Sequence, residues 1–93
     1  MSKYPAPPGD IRLASLRKGQ PAHVTGVDEG AVATTLPAGE LERRMIEMGL
    51  VEGARIEILH EGFPGRDPIA VRVNEHTVAM RRAEARAIRV APV

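Results

Sequence analysis

The chain has 93 residues, of which 43% are hydrophobic and 27% are charged, and its formal net charge is +1. This length fits one domain, and the composition is typical of a globular protein rather than a disordered one. The small net charge gives no long-range attraction toward nucleic acid or anionic lipid. The absence of cysteine excludes disulfides, thiolate zinc sites, cysteine-ligated iron–sulfur clusters and cysteine nucleophiles.

The N-terminal residues 1–9 contain three prolines and a glycine, which disfavour both helix and strand. We therefore predict a disordered leader over residues 1–9 and a single domain over residues 10–93. The leader lacks the apolar stretch of a signal peptide, and no segment approaches the roughly 18–20 apolar residues of a membrane span. A cytoplasmic protein that does not insert into the membrane itself is the resulting expectation.

The first half of the domain contains one weak and two stronger patterns. Leu13 and Leu16 have helical spacing and predict a short helix or turn between Asp10 and Lys18. Alternation from Ala22 to Val27 predicts a strand. The strongest helix signal runs from Pro37 to Met48, with an apolar stripe and a capping threonine at position 34 or 35.

That predicted helix also has a clear end. Gly49 suits the left-handed position after a helix, and Leu50 is placed to contact Met45 as in a Schellman motif. Ile46 lies off the apolar stripe formed by Leu41, Met45 and Met48, so it is a candidate for contact with a partner protein.

The second half has a period of two, which predicts strands. The side chains predicted to face the core are Ile56, Ile58, Ile69, Val71, Val78, Met80, Ile88 and Val90. Residues 82–86 predict a turn or a single helical turn between the last two strands. Together the patterns predict a mainly β protein, a small and strongly bent barrel of about five strands with one α-helix.

Several ordered motifs carry a family resemblance. They are Leu13-x-x-Leu16-x-x-Gly19, the run from Leu41 to Gly53, the run Gly65-Arg66-Asp67-Pro68-Ile69, then Val78-Ala79-Met80-Arg81, and finally Glu84-Ala85-x-x-Ile88-x-Val90. Spanning roughly Asp10 to Val90, this order resembles the FeoA family and the related SH3-like C-terminal domain of iron-dependent repressors. The resemblance implies an SH3-like barrel.

The resemblance further implies a non-catalytic accessory protein of bacterial ferrous iron uptake. Its expected partner is FeoB, a membrane iron transporter that carries a GTPase domain. The partner-binding residues that we predict are Arg43, Arg44, Ile46 and Glu47, with Glu42, Glu47 and Glu52 as a polar rim. The alternative is a metal-responsive regulatory module like the repressor domain, against which the lack of a helix-turn-helix pattern counts.

Catalysis and nucleic-acid binding have little support in the sequence. Neither serine lies in a Gly-x-Ser-x-Gly elbow, and Gly62-Phe63-Pro64-Gly65 lacks the Gly-Lys-Ser/Thr ending of a phosphate loop. Nine of the 13 Lys and Arg residues are arginines in the second half, but eight carboxylates interleave with them. The 2% aromatic content offers no stacking platform for single strands. Solvated strand faces are the preferred interpretation.

No cofactor is expected, and metal binding is predicted to be weak. The candidate ligands are His23, His60 and His76, whose nitrogen atoms suit Fe(II) or Zn(II), with Asp28, Glu61, Asp67 and Glu75 as carboxylate partners. No spacing places two of the histidines on one helical face. Surface histidines that capture divalent metal weakly are therefore the favoured interpretation.

Overall fold

A computed structural model describes residues 11–28 and 39–93. In chain order its elements are β1 (Ile11–Arg12), a 3-10 helix (Leu13–Ser15), β2 (Ala22–Val27), α1 (Glu40–Glu47), β3 (Arg55–Glu61), β4 (Ile69–Val73), β5 (His76–Met80), α2 (Arg82–Ala85) and β6 (Ile88–Pro92). Within these two ranges, no helix has the length and apolar character needed to cross a membrane.

The strands form one antiparallel sheet in the order β1-β6-β2-β3-β4-β5. The sheet has one strand more than the five that were read from the sequence, because β1 pairs with β6 through only two residues and so has no readable period. The short helix or turn expected between Asp10 and Lys18 is present as the 3-10 helix Leu13–Ser15, which β1 precedes. Leu13 and Leu16 are both buried, so their spacing did mark the inward side.

Two irregularities bend the sheet around its core. The register shifts between Val24 and Gly26 in β2, and between Ile58 and His60 in β3. Such bulges kink a strand and increase its twist, which allows a short sheet to curve over one apolar interior. The predicted strongly bent, mainly β architecture is confirmed, as an open sheet whose two edge strands are β1 and β5.

The core contains seven of the eight side chains predicted to face inward, each at most 4% exposed. The exception is Val78, which is only half-buried because its strand, β5, is an edge strand that pairs with β4 alone. Further buried residues come from the first half of the chain and from the two helices, including Leu13, Val24, Leu41, Met45, Leu50 and Ala85.

Helix α1 begins at Glu40, with Gly39 at the N-cap in a left-handed conformation and without a side-chain cap. The predicted start at Pro37 and the predicted threonine caps lie outside the described residues. The predicted leader, residues 1–9, lies outside them as well. Glu40 and Glu42 in the first turn of α1 place negative charge at the positive end of the helix dipole.

Candidate partner-binding site

The C-terminal end of α1 has the geometry of a Schellman motif. Gly49 has a φ of 87°, its N–H donates to the carbonyl oxygen of Ile46 at 2.9 Å, and the N–H of Leu50 donates to that of Met45 at 2.9 Å. These bonds satisfy carbonyl groups that a helix end would otherwise leave unpaired. The predicted motif is thus confirmed, and it turns the chain sharply away from the helix axis.

The segment after the helix is then fixed against β2. The N–H of Gly53 donates to the carbonyl oxygen of Val24 at 2.7 Å, and the N–H of Val24 donates to that of Ala54 at 2.9 Å. Because both ends of this segment are bonded, its backbone between Gly49 and Gly53 is fixed beside α1. Val51 lies in this segment, and its side chain is 43% exposed.

A shallow groove of about 240 Å³ lies between α1, this segment and β2. We call it the helix-exit groove, and the residues that line it include Thr25, Val27, Glu42, Ile46, Val51 and Glu52. Ile46 is 52% exposed, so it and Val51 present a joint apolar surface to solvent. Two carboxylates on the groove wall give this apolar surface a negative border.

The predicted partner-binding residues divide into two groups. Ile46 lines the helix-exit groove, whereas Arg43, Arg44 and Glu47 are exposed on α1 but do not line it. Arg43 donates to Glu40 at 3.1 Å, and Arg44 lies 3.9 Å from the carboxylate of Glu84. Of the predicted polar rim, Glu42 and Glu52 line the groove and Glu47 does not, and their contact with a partner stays a prediction.

The sequence did not identify the contributions of Thr25, Val27 and Val51 to the groove. Thr25 lies within the bulge in β2 and Val27 follows it, and the bulge redirects the strand after Val24. Val51 belongs to no periodic run. The one sequence signal for Val51 was that it is an apolar residue outside the core stripe. The same reasoning identified Ile46.

The three histidines lie on separate strands and are all exposed. His23 is in β2, His60 is in β3 and His76 opens β5. Among the residues that the structure describes, no group of three or more His, Asp or Glu side chains is placed to hold a metal ion. Weak, non-essential divalent metal binding by these histidines stays a prediction.

Most of the candidate metal ligands have other contacts. The Nε2 atom of His76 lies 3.2 Å from the carbonyl oxygen of Met48, to which it must donate a proton because a carbonyl can only accept. A metal at Nε2 would displace that hydrogen bond. Asp28 pairs with Arg12 at 3.4 Å, and Glu61 pairs with Arg82 at 2.8 Å.

Arg82 is the main residue that the sequence analysis missed. Its guanidinium donates to the carbonyl oxygen of Ala14 at 2.6 Å, to the carboxylate of Glu61 at 2.8 Å and to the carbonyl oxygen of Arg66 at 3.1 Å. Its backbone N–H donates to Asp67 at 2.8 Å. One side chain therefore joins the 3-10 helix, the end of β3 and the β3–β4 loop to α2.

Comparison with known proteins agrees with the motif order. The family model described as the FeoA domain matches residues 11–92. A fusion of Fe(2+) transport protein A with the Fe(2+) transporter FeoB, from Porphyromonas gingivalis, is 34% identical over 80 residues. That match covers 86% of this chain but only 8% of the fusion protein, so the chain corresponds to a small part of that relative.

Solved structures share the fold. FeoA from Chlorobium tepidum is 35% identical with a TM-score of 0.72, and the match covers 89% of this chain and 70% of that one. FeoA from Stenotrophomonas maltophilia, solved with zinc and described as a prokaryotic SH3 domain protein, is 26% identical with a TM-score of 0.70 over 86% of this chain and 88% of its own. A manganese-dependent transcriptional repressor, 24% identical with a TM-score of 0.70 over 98% of this chain and 45% of its own, shows likeness of fold alone.

Proposed function

This chain belongs to the FeoA family, and on that premise we propose that it is an accessory protein that binds the cytosolic part of a FeoB-type ferrous iron transporter. The relative from Porphyromonas gingivalis supports this partner, because that protein is described as a fusion of Fe(2+) transport protein A with the Fe(2+) transporter FeoB. Domains that are joined in one protein in one organism commonly associate when they are separate chains in another.

The observation that carries the proposal is the helix-exit groove. Its apolar floor, formed partly by Ile46 and Val51, is exposed in the free chain and is held by a rigid helix end. A partner that inserts an apolar side chain there gains burial free energy without reorganising the backbone. The carboxylates of Glu42 and Glu52 favour a partner segment in which that apolar residue is flanked by arginine or lysine.

The proposed action is non-catalytic and takes place in the cytoplasm. By contacting one conformation of the transporter more favourably than another, the chain would shift the population of that conformation. Such a role needs no resident metal or cofactor. The repressor-like alternative has only likeness of fold in its favour, and no feature of the described residues adds to it.

The direct test is an NMR titration of the chain with the isolated cytosolic domain of FeoB, followed by a pull-down with full-length FeoB in detergent. Ile46→Asp should weaken binding about tenfold or more, since it places a charge at the centre of the apolar surface. Arg43→Glu should weaken it less, because Arg43 lies outside the groove and affects mainly long-range attraction.

Val93→Asp is the matched control, because Val93 is also an exposed apolar residue, at 67%, but lies outside the groove. It should bind as the unmodified chain does. Normal binding by Ile46→Asp, with resonance shifts elsewhere, would show that the groove is the wrong surface. Absence of binding to full-length FeoB would refute the accessory role itself.

A further inference from the structure

A second surface lies where the 3-10 helix, the β3–β4 loop and α2 meet. It surrounds an open cavity of about 590 Å³ lined by residues that include Ser15, Arg17, Lys18, Glu61, Arg66 and Arg82. We call it the loop-end cavity. It shares no lining residue with the helix-exit groove, so the proposed contact with a transporter leaves it unexplained.

The loop-end cavity carries uncompensated positive charge. Arg82 is already committed to Glu61, so that pair is neutral as a unit. Arg17, Lys18 and Arg66 are exposed, and none of them has an ion-pair partner within residues 11–28 and 39–93. Three positively charged side chains therefore surround one opening. The small net charge of the whole chain gives no indication of this local cluster.

The same loop exposes the single phenylalanine of the chain. Phe63 is 95% exposed, so its ring has almost no contact with the rest of the protein. The base of the loop is nevertheless closed, since the N–H of Gly62 donates to the carbonyl oxygen of Pro68 at 2.8 Å. Arg82 also holds the carbonyl oxygen of Arg66. An aromatic side chain is thus presented to solvent on a loop that is fixed from behind.

We call the surface that comprises the loop-end cavity and the β3–β4 loop the loop end. We propose that the loop end binds an anionic membrane surface, with the ring of Phe63 at the bilayer interface and Arg17, Lys18 and Arg66 around lipid phosphate groups. An anionic leaflet offers apolar and phosphate chemistry side by side at that depth. An acidic protein segment would instead need a pocket shaped for the ring and carboxylates at matching positions. The bilayer interface accepts the ring without such a pocket.

The expected binding is weak and reversible, because each contributing side chain adds only a small attraction. Each lysine or arginine near an anionic leaflet contributes a modest, salt-sensitive attraction, and one aromatic ring contributes too little for stable anchoring alone. Such a contact would orient the chain at a membrane rather than retain it there. The inference goes beyond the proposed transporter contact and does not depend on it.

The experiment is flotation of the full chain with vesicles of phosphatidylcholine, with and without phosphatidylglycerol. We expect binding only to the vesicles that contain phosphatidylglycerol, and loss of binding as salt is raised. The chain has no tryptophan, so Phe63→Trp introduces a single indole reporter. Its emission should shift to shorter wavelength with the anionic vesicles and not with the neutral ones.

Two variants divide the apolar and charged contributions. Phe63→Ala should reduce vesicle binding about tenfold, and the double variant Arg17→Glu with Lys18→Glu should reduce it at least as much. Arg72→Glu is the matched control, because Arg72 is an exposed arginine on β4 that does not line the cavity. Each variant alters exposed side chains, and an unchanged thermal melt confirms folding.

Several outcomes would overturn the proposal. They are a failure to bind anionic vesicles, equal binding by the double variant, or equal loss in Arg72→Glu, which would indicate only general charge attraction. Binding to polyglutamate but not to vesicles would assign the surface to an acidic protein. Resonance shifts with inorganic phosphate, without vesicle binding, would assign it to a soluble phosphate. No transporter is present, so the result is independent of the proposed function.

Discussion

The two ends of this small sheet are stabilised in different ways. At the exit of α1, buried Met45 and Leu50 pack into the core, and short-range backbone hydrogen bonds complete the turn. At the loop end, one arginine joins segments that are 16, 21 and 68 positions away from it in the chain. The first arrangement combines apolar packing with backbone hydrogen bonds, whereas the second is polar and depends on a single side chain.

The two candidate binding surfaces therefore depend on different parts of the structure for their shape. The helix-exit groove lies directly on the core, so any change in core packing alters its shape. The loop-end cavity is lined mainly by polar and charged side chains, and its loop is held by the hydrogen bonds of Arg82, which we call the Arg82 clamp. Loss of this clamp would release the loop without emptying the interior. Substitutions on one side should therefore leave binding on the other side intact.

The largest expected effect comes from the core beneath the helix exit. Met45→Ala should lower the free energy of unfolding by about 3 kcal/mol, because Met45 is fully buried and the substitution leaves a cavity. Urea unfolding measures the change, and Glu47→Ala on the exposed side of the same helix should cost less than about 0.5 kcal/mol. Equal losses would mean that α1 is not packed as described.

The next effect separates the loop end from the helix exit. Arg82→Ala should cost about 2–3 kcal/mol, because it leaves Glu61 and two carbonyl groups without their donor in a partly buried site. Arg82→Lys should recover little, since an ammonium group cannot reproduce the fork of the guanidinium. Urea melts and hydrogen exchange over residues 62–67 are the measurements.

Full recovery by Arg82→Lys would show that a positive charge alone is sufficient at this position. If the exposed variant Arg81→Ala destabilised the protein as much as Arg82→Ala, the clamp would have no special role. In either case the contrast between the two ends would be lost.

The smallest of these effects tests the helix end itself. Gly49→Ala should cost about 1–2 kcal/mol, because the position has a φ of 87° and an added methyl would lie 3.4 Å from Val73. Gly65→Ala is the matched control, since its added methyl would have no neighbour within 4 Å and no positive φ is required. Thermal melts of the two variants should differ, and identical melts would contradict the Schellman geometry.

The elements that could be predicted are those whose signals lie within a few residues. The stripe of α1, the glycine that ends it and the period-two runs of β3, β4 and β6 all reflect which side of an element meets the core. β1 was not predicted, because a strand of two residues shows no period. Val78 was placed in the interior because alternation does not distinguish an edge strand from a central one.

The candidate sites follow the same division. Ile46 could be identified because a helical stripe is a local property, and an apolar residue off the stripe is visible at once. Arg82 could not, because its three acceptors belong to segments that meet only after folding. The loop that carries Phe63 was considered only as a phosphate loop and was rejected. Its exposure could not be predicted, because exposure depends on whether distant segments of the chain pack against the ring.

The position of β6 has a consequence for biosynthesis. Val90 is paired with Ile11 on one side and with Val24 on the other, so the last strand is inserted between two segments that are made first. Until Ile88–Pro92 have been synthesised, β1 has no neighbour and β2 has an open edge. Completion of the sheet must therefore wait until Ile88–Pro92 leave the exit tunnel, so the sheet cannot close strand by strand from its N-terminal end.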